Sequence, residues 1–140
     1  MAQKNKNELI FLPLGGCGEI GMNLNLFGFG PPNNRKWIIV DIGVTFGGAD
    51  TPGIEIIMPD IEFIMSIKKD LLGIVLTHAH EDHMGALGRL WPQLECPVYA
   101  TPFTMYLVKD RLSEFGLLDL VPLHEAVSYT HLTLPTILLV

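Results

Sequence analysis

Gly73-Ile74-Val75-Leu76-Thr77-His78-Ala79-His80-Glu81-Asp82-His83 is the stretch that decides how this chain is read. Its first part, as far as Thr77, is short and apolar, the pattern of a buried strand. Its second part places three histidines and an aspartate within six residues. A buried strand that stops abruptly presents its next side chains at the edge of the sheet, where imidazoles two residues apart can face one cavity. On that geometry His78 and His80 share one metal ion. Asp82 and His83 follow where the chain turns into Met84-Gly85-Ala86-Leu87, read as a helix start, so their side chains diverge from the first pair and can hold a second ion. Imidazole with carboxylate and no thiolate suits zinc first and manganese or iron next, whereas calcium and magnesium prefer oxygen shells. A histidine-rich surface loop, or a helix cap at Asp82, is the bland alternative, and the strand directly before the cluster argues against it.

Working outward, strand signals alternate with helix signals, which makes the class α/β. Leu9 to Leu14 reads as a strand, Gly15-Gly16-Cys17-Gly18-Glu19-Ile20-Gly21 as a tight loop, and Met22 to Phe27, with its period of two, as a second strand. A turn at Gly30-Pro31-Pro32-Asn33-Asn34 and a strand at Trp37 to Val40 complete a hairpin that ends on Asp41. The segment 43–53 is loop-like and 61–69 is read as a helix. Beyond the histidines, Pro97 to Ala100 is a short strand, and Thr101-Pro102 opens a helix with threonine as cap and proline in its first turn. Met105, Val108, Leu112 and Phe115 form its core stripe and Gly116 its end. Leu120 to Leu123 begins another strand, with His124 read as a surface histidine.

Gly16-Cys17-Gly18-Glu19-Ile20-Gly21 also satisfies G-x-G-x-x-G, with Asp41 about twenty residues on. Dinucleotide binding needs a helix opening at the third glycine, so that its N-terminus meets the pyrophosphate. The alternation from Met22 onward argues against that helix, so no dinucleotide partner is expected; the glycine loop is read as a tight connection that can line the metal cleft.

The chain is acidic, with formal charge −6, and 49% hydrophobic over 140 residues. There is no basic arm of the kind that tracks nucleic-acid backbones, and the apolar share is high for this length, as if surfaces meant to be covered were bare. Cys17 and Cys96 lack a C-x-x-C partner and read as reduced core thiols of a cytoplasmic protein, with a reactive nucleophile as the alternative. No basic-then-apolar leader and no apolar run of spanning length is present, so neither secretion nor a membrane partner is expected. The segment Val127-Ser128-Tyr129-Thr130-His131-Leu132-Thr133-Leu134-Pro135-Thr136 is the in-frame translation of a transposase sequencing adapter. The natural sequence is therefore expected to occupy 1–125, with 126–140 a non-native tail in which His131 is no ligand.

The motif from His78 to His83 resembles that of the metallo-β-lactamase superfamily. Together with Leu12 to Asn23, Val40-Asp41-Ile42-Gly43, Pro52-Gly53-Ile54, Met58-Pro59-Asp60 and Thr77 through Leu87, it resembles the bacterial ribonuclease J family within that superfamily. The resemblance covers nearly all of 1–125. The histidine motif alone is shared with lactamases and thioester hydrolases; the glycine block and the Pro-Gly-Ile segment make the nuclease family specific. It implies an αββα sandwich of which 1–125 is an incomplete N-terminal portion, with a β-CASP domain and a smaller C-terminal domain further along. It further implies two Zn2+ ions, with Mn2+ as the alternative: His78 and His80 on one, Asp82 and His83 on the other, and Asp41 supporting from a neighbouring strand end. The remaining ligands, two histidines and a bridging aspartate, would follow downstream.

The implied activity is 5'-to-3' exoribonuclease action with endonuclease activity in RNA maturation and decay, including rRNA processing. Two metals about 3.5 to 4 Å apart would activate a hydroxide for phosphodiester hydrolysis, with Asp82 and His83 catalytic through metal and hydroxide positioning. RNA is the implied partner, homo-oligomers the implied full-length state, and the fragment alone is expected to be inactive and aggregation-prone. A thioester or lactone hydrolase of the same superfamily fits the motif but not the Leu12 to Asn23 block, and a non-catalytic binding protein would require the downstream ligands to be missing from the gene.

Overall fold

The computed structural model describes residues 6–128. Eight strands and four α-helices alternate: β1 (Glu8–Gly15), β2 (Leu24–Gly30), β3 (Lys36–Val40), β4 (Thr45–Phe46), β5 (Ile56–Ile57), α1 (Glu62–Ser66), β6 (Leu71–Leu76), α2 (Glu81–Met84), α3 (Leu87–Leu94), β7 (Val98–Ala100), α4 (Pro102–Glu114) and β8 (Leu123–Glu125). Six of the strands form one mixed sheet in the order β1-β2-β3-β6-β7-β8, and β4 pairs with β5 alone. β1, β2 and β3 run antiparallel as a meander, and β3, β6, β7 and β8 run parallel. Parallel neighbours need crossovers: α1 lies in the one from β3 to β6, α2 and α3 in the one from β6 to β7, and α4 in the one from β7 to β8.

The pleat sorts side chains into two faces. Leu12, Leu26, Ile39, Ile74, Val98 and Leu123 stand opposite one another across the whole sheet. This row belongs to the core that buries Ile64 of α1, Leu87, Leu90, Trp91 and Leu94 of α3, and Met105, Val108 and Leu112 of α4. A buried leucine or isoleucine contributes roughly 1.5 to 3 kcal/mol relative to exposure, so this one face carries most of the cohesion. The opposite face presents Phe11, Phe27 and Ile38 in one row, then Asn25, Val40, Val75, Tyr99 and His124 in the next. Phe11 stays 53% exposed, although its ring leans on Phe27 at 5.1 Å. Apolar exposure on this face concentrates at its β1 edge, whereas Phe27, Ile38, Val40, Val75 and Tyr99 are half-buried.

Several boundaries differ from the sequence reading, each for a local reason. The second strand starts at Leu24 and not Met22, because Met22 and Gly21 still belong to the loop, with φ of 35° and 107°. Within 43–53, Thr45 and Phe46 form a strand by pairing with Ile57 and Ile56. The helix expected over 61–69 is α1 followed by a 3-10 turn at Lys68–Asp70, since Ile67 N–H already bonds Ile64 O in the tighter pattern. The last strand begins at Leu123, after Pro122, which lacks an N–H for the ladder. Phe115 is 37% exposed and so lies at the margin of the α4 core stripe.

Gly116 does end α4: at φ 67° it lets Leu117 N–H reach Leu112 O at 2.8 Å and its own N–H reach Ser113 O at 3.0 Å. Thr101 precedes that helix but makes no side-chain cap; its hydroxyl bonds Thr104 Oγ1 at 3.3 Å instead. His124 is exposed and stacks on Tyr99 at 4.9 Å. After the glycine loop comes strand β2, so the helix that a dinucleotide fingerprint needs does not follow it. Of the tail 126–140, the stretch 129–140 lies outside the described residues, His131 with it; Ala126 N–H donates to Ala100 O at 2.8 Å. Among the described residues no helix is long and apolar enough to cross a membrane.

The two cysteines separate. Cys96 is buried, and loss of solvation pushes its thiol up to about 12. Cys17 is not a core thiol: it sits exposed on the glycine loop. A maleimide at neutral pH is therefore expected to label Cys17 in the folded protein and leave Cys96 untouched, with mass spectrometry of the digest as the readout; equal labelling would show that Cys96 is accessible.

Candidate metal centre

β3 and β6 are parallel neighbours, so their carboxyl ends open on the same edge of the sheet. Asp41 follows the first and Thr77 to His83 follow the second, the position where α/β sheets habitually bind ligands. Asp41 holds φ 65°, a left-handed conformation that aspartate tolerates better than most side chains. Its N–H bonds Val75 O at 2.9 Å, and its carboxylate is 6% exposed.

That carboxylate accepts from Thr77 N–H at 2.8 Å, from the Thr77 hydroxyl at 2.9 and 3.0 Å, and from His83 Nδ1 at 2.7 Å. A carboxylate only accepts, which decides the protons. His83 Nδ1 must carry its hydrogen, so in the neutral imidazole that a metal ligand requires Nε2 is the lone pair, 3.4 Å from Asp82 Oδ2. The single hydroxyl proton of Thr77 is engaged by Asp41, so Thr77 Oγ1 accepts from His78 Nδ1 at 3.0 Å, and Nε2 of His78 is likewise a lone pair. One buried carboxylate thus sets the tautomers of two histidines. The His78 ring lies 4.6 Å from His80 and 4.0 Å from His83, centroid to centroid.

Asp82 and His83 lie on α2 itself, which starts at Glu81 behind His80 and stops at Gly85, three residues earlier than the helix start read from the sequence. In so short a helix only the Glu81 carbonyl has a local donor, Gly85 N–H at 2.9 Å, and further partners must come from outside. Neighbouring loops supply them: Val44 N–H to Glu81 O at 3.0 Å, Asn23 N–H to Asp82 O at 2.9 Å and Ile42 N–H to His83 O at 2.8 Å, while Ala86 N–H reaches Ile42 O at 3.0 Å. Arg111 of α4 pairs with Glu81 and lies 3.6 Å from Glu114, tying the other side of α2 to the helix layer. The histidine stretch is therefore positioned by backbone contacts from two distant segments, Asn23 and Ile42 to Val44.

Of the residues singled out in the sequence, Asp41, His78, His80, Asp82 and His83 come together. Asn23, Thr77, Glu81 and Arg111 were not assigned a role there, although the adjacency of Thr77 to His78 was a usable signal. Among the described residues no group of three or more His, Cys, Asp or Glu side chains is placed to hold a metal ion by itself. The donor chemistry, imidazoles with a carboxylate, fits a divalent ion such as zinc as part of a site, since zinc takes three or four protein ligands. Asparagine in place of Asp41 could donate to His83 Nδ1 and stabilise the other tautomer. Asp41→Asn is expected to weaken Zn2+ binding by about ten- to hundredfold in competition with a chromophoric chelator, and unchanged affinity would remove Asp41 from the site.

The Metallo-beta-lactamase superfamily pattern matches residues 33–126. The chain belongs to that superfamily, a class of metal-dependent hydrolases whose membership supports divalent metal binding here. Its sequence is 60% identical over 104 residues to Ribonuclease J of Sinorhizobium meliloti, covering 74% of this chain and 18% of that protein. It is 36% identical over 117 residues to Ribonuclease J of Helicobacter pylori, covering 84% of this chain and 16% of that protein. The chain thus spans less than a fifth of the length of these two relatives. Among solved structures, Zn(2+)-bound PqqB from Methylobacterium extorquens aligns over 73% of this chain and 33% of that chain, with 18% identity and a TM-score of 0.45.

Proposed function

We propose that residues 1–125 are the N-terminal portion of a longer metal-dependent ribonuclease that hydrolyses RNA phosphodiester bonds. It acts as a 5'-to-3' exoribonuclease with endonuclease activity in RNA maturation and decay, in the cytoplasm and as a homo-oligomer. The observation that carries the reading is the orientation of His83 and His78 by Asp41, directly and through Thr77, with His83 Nε2 3.4 Å from the Asp82 carboxylate. Sixty per cent identity to a Ribonuclease J in the same segment supports RNA as the substrate class.

In this reading His78 and His80 hold one Zn2+ or Mn2+ ion and Asp82 and His83 the other, each completed by ligands from further along the protein. The ions, when bound, supply a nucleophile at neutral pH and countercharge for the phosphodiester. This chain's own residues do the orienting. Asp41 keeps the proton on His83 Nδ1, Thr77 keeps it on His78 Nδ1, and the loop carbonyl bonds fix α2. The remaining 126–140 are an adapter-derived tail and take no part.

The test is hydrolysis of 5'-monophosphorylated RNA by the full-length protein, prepared without the tail, with and without chelator. Nucleotide release that stops on chelation and returns with Zn2+ or Mn2+ is expected. Bound metal without RNA cleavage would instead favour a small-molecule hydrolase.

A further inference from the structure

Asn23 has the unabsorbed contact in this site. It lies just beyond the glycine loop, 59 residues from Asp82 in sequence, and its amide Nδ2 faces three acceptors: Asp82 O at 3.0 Å, Asp82 Oδ2 at 3.4 Å and His83 Nε2 at 3.3 Å. The His83 nitrogen is the lone pair set by Asp41, so the amide donates to it. Its backbone is pinned on both sides, N–H to Asp82 O and C=O accepting Gly43 N–H, each at 2.9 Å. The side chain packs so closely on Gly16 that a Cβ there would stand 2.2 Å from Asn23 Oδ1. The absence of a side chain at Gly16 is what gives the amide room.

From this geometry we propose that Asn23 is a positioning residue for the second metal ion, its amide aligning the Asp82 carboxylate and the His83 Nε2 lone pair on one point before the ion arrives. The proposal rests on the two-ion reading above. Distances decide between help and hindrance. The contact that an ion would not contest, to the Asp82 carbonyl, is the shortest; the two it would replace are long and correspondingly weak. Asn23 therefore gives up little when an ion binds and keeps the strand-to-helix junction in place, so alignment outweighs competition. A role confined to capping the end of α2 would lower stability without distinguishing one ion from the other.

The experiment titrates Co2+ into the metal-free full-length protein and reads the visible ligand-field bands. In the unsubstituted protein two equivalents bind. In Asn23→Ala the first equivalent is expected to keep its affinity and spectrum, while the second weakens by about tenfold or more and its bands shift. Two equivalents with unchanged affinities and bands would overturn the proposal, as would equal weakening of both or a tighter second ion. Should circular dichroism show that Asn23→Ala has lost the fold, Asn23→Gln takes its place; it retains the amide but moves it by one methylene, and the same selective loss is expected. Failure of the unsubstituted protein to bind two equivalents would overturn the two-ion reading itself and is seen before any variant is made.

Discussion

An Asp82→Ala, His83→Ala double variant of the full-length protein is expected to release no nucleotides from 5'-monophosphorylated RNA above background, under conditions where the unsubstituted protein does so with Zn2+ or Mn2+. These two side chains are the only oxygen and one of the three nitrogen donors that the His78 to His83 stretch offers in the two-ion reading, and loss of both removes this chain's whole share of one ion. Where reaction depends on two ions acting together, removal of one forfeits both nucleophile and countercharge, and losses of several orders of magnitude follow. The variant should still fold. Asp82 is 37% exposed and His83 22% exposed, and the loops that anchor α2 bond its backbone, which alanine retains. A metal-loaded double variant that still cleaves RNA at the parent rate would place the chemistry elsewhere.

The second large effect is on the backbone. Gly43 lies where the segment after β3 passes α2, and a Cβ at that position would stand 1.7 Å from Asp82 O and 2.7 Å from His83 N. Neither atom is the end of a flexible side chain, so the two segments must separate. Separation breaks bonds from both sides of the glycine, Ile42 N–H to His83 O and Val44 N–H to Glu81 O. Gly43→Ala is expected to cost about 3 kcal/mol or more, at or beyond the upper end for overpacked sites, and to abolish binding of the Asp82 and His83 ion. Thermal unfolding of the full-length variant, with Zn2+ titration where it remains folded, checks both. A melting temperature within a degree of the parent would contradict the close approach.

Much of the architecture was legible because its signals are local. Period-two alternation announced β2, a glycine-opened apolar run announced β6, and Thr101-Pro102 with Gly116 bounded α4. The candidate metal stretch stands out in the sequence for the same reason, since four potential donors lie in six consecutive residues. Boundaries failed where a distant partner decides them. Thr45 and Phe46 are a strand only because Ile56 and Ile57 lie beside them, and α2 starts at Glu81 because loops 36 or more residues earlier satisfy its carbonyls. Cys17 and Cys96 look alike in the sequence; only packing exposes one and buries the other.

The sequence by itself determined the superfamily of this protein, that its candidate metal donors follow a buried strand, and that its sheet alternates with helices. These follow from residue type and spacing, which are properties of a few neighbouring residues. The tertiary structure alone decided which nitrogen of His78 and His83 carries the proton in the neutral ring, because that depends on a carboxylate 42 residues from His83. It also decided that Asn23 faces Asp82, that Arg111 holds Glu81, and that the second face of the sheet is exposed at its β1 edge. Hydrogen-bond partners and packing faces are set by how strands pair and cross, and strand pairing brings together residues whose relation no local pattern encodes.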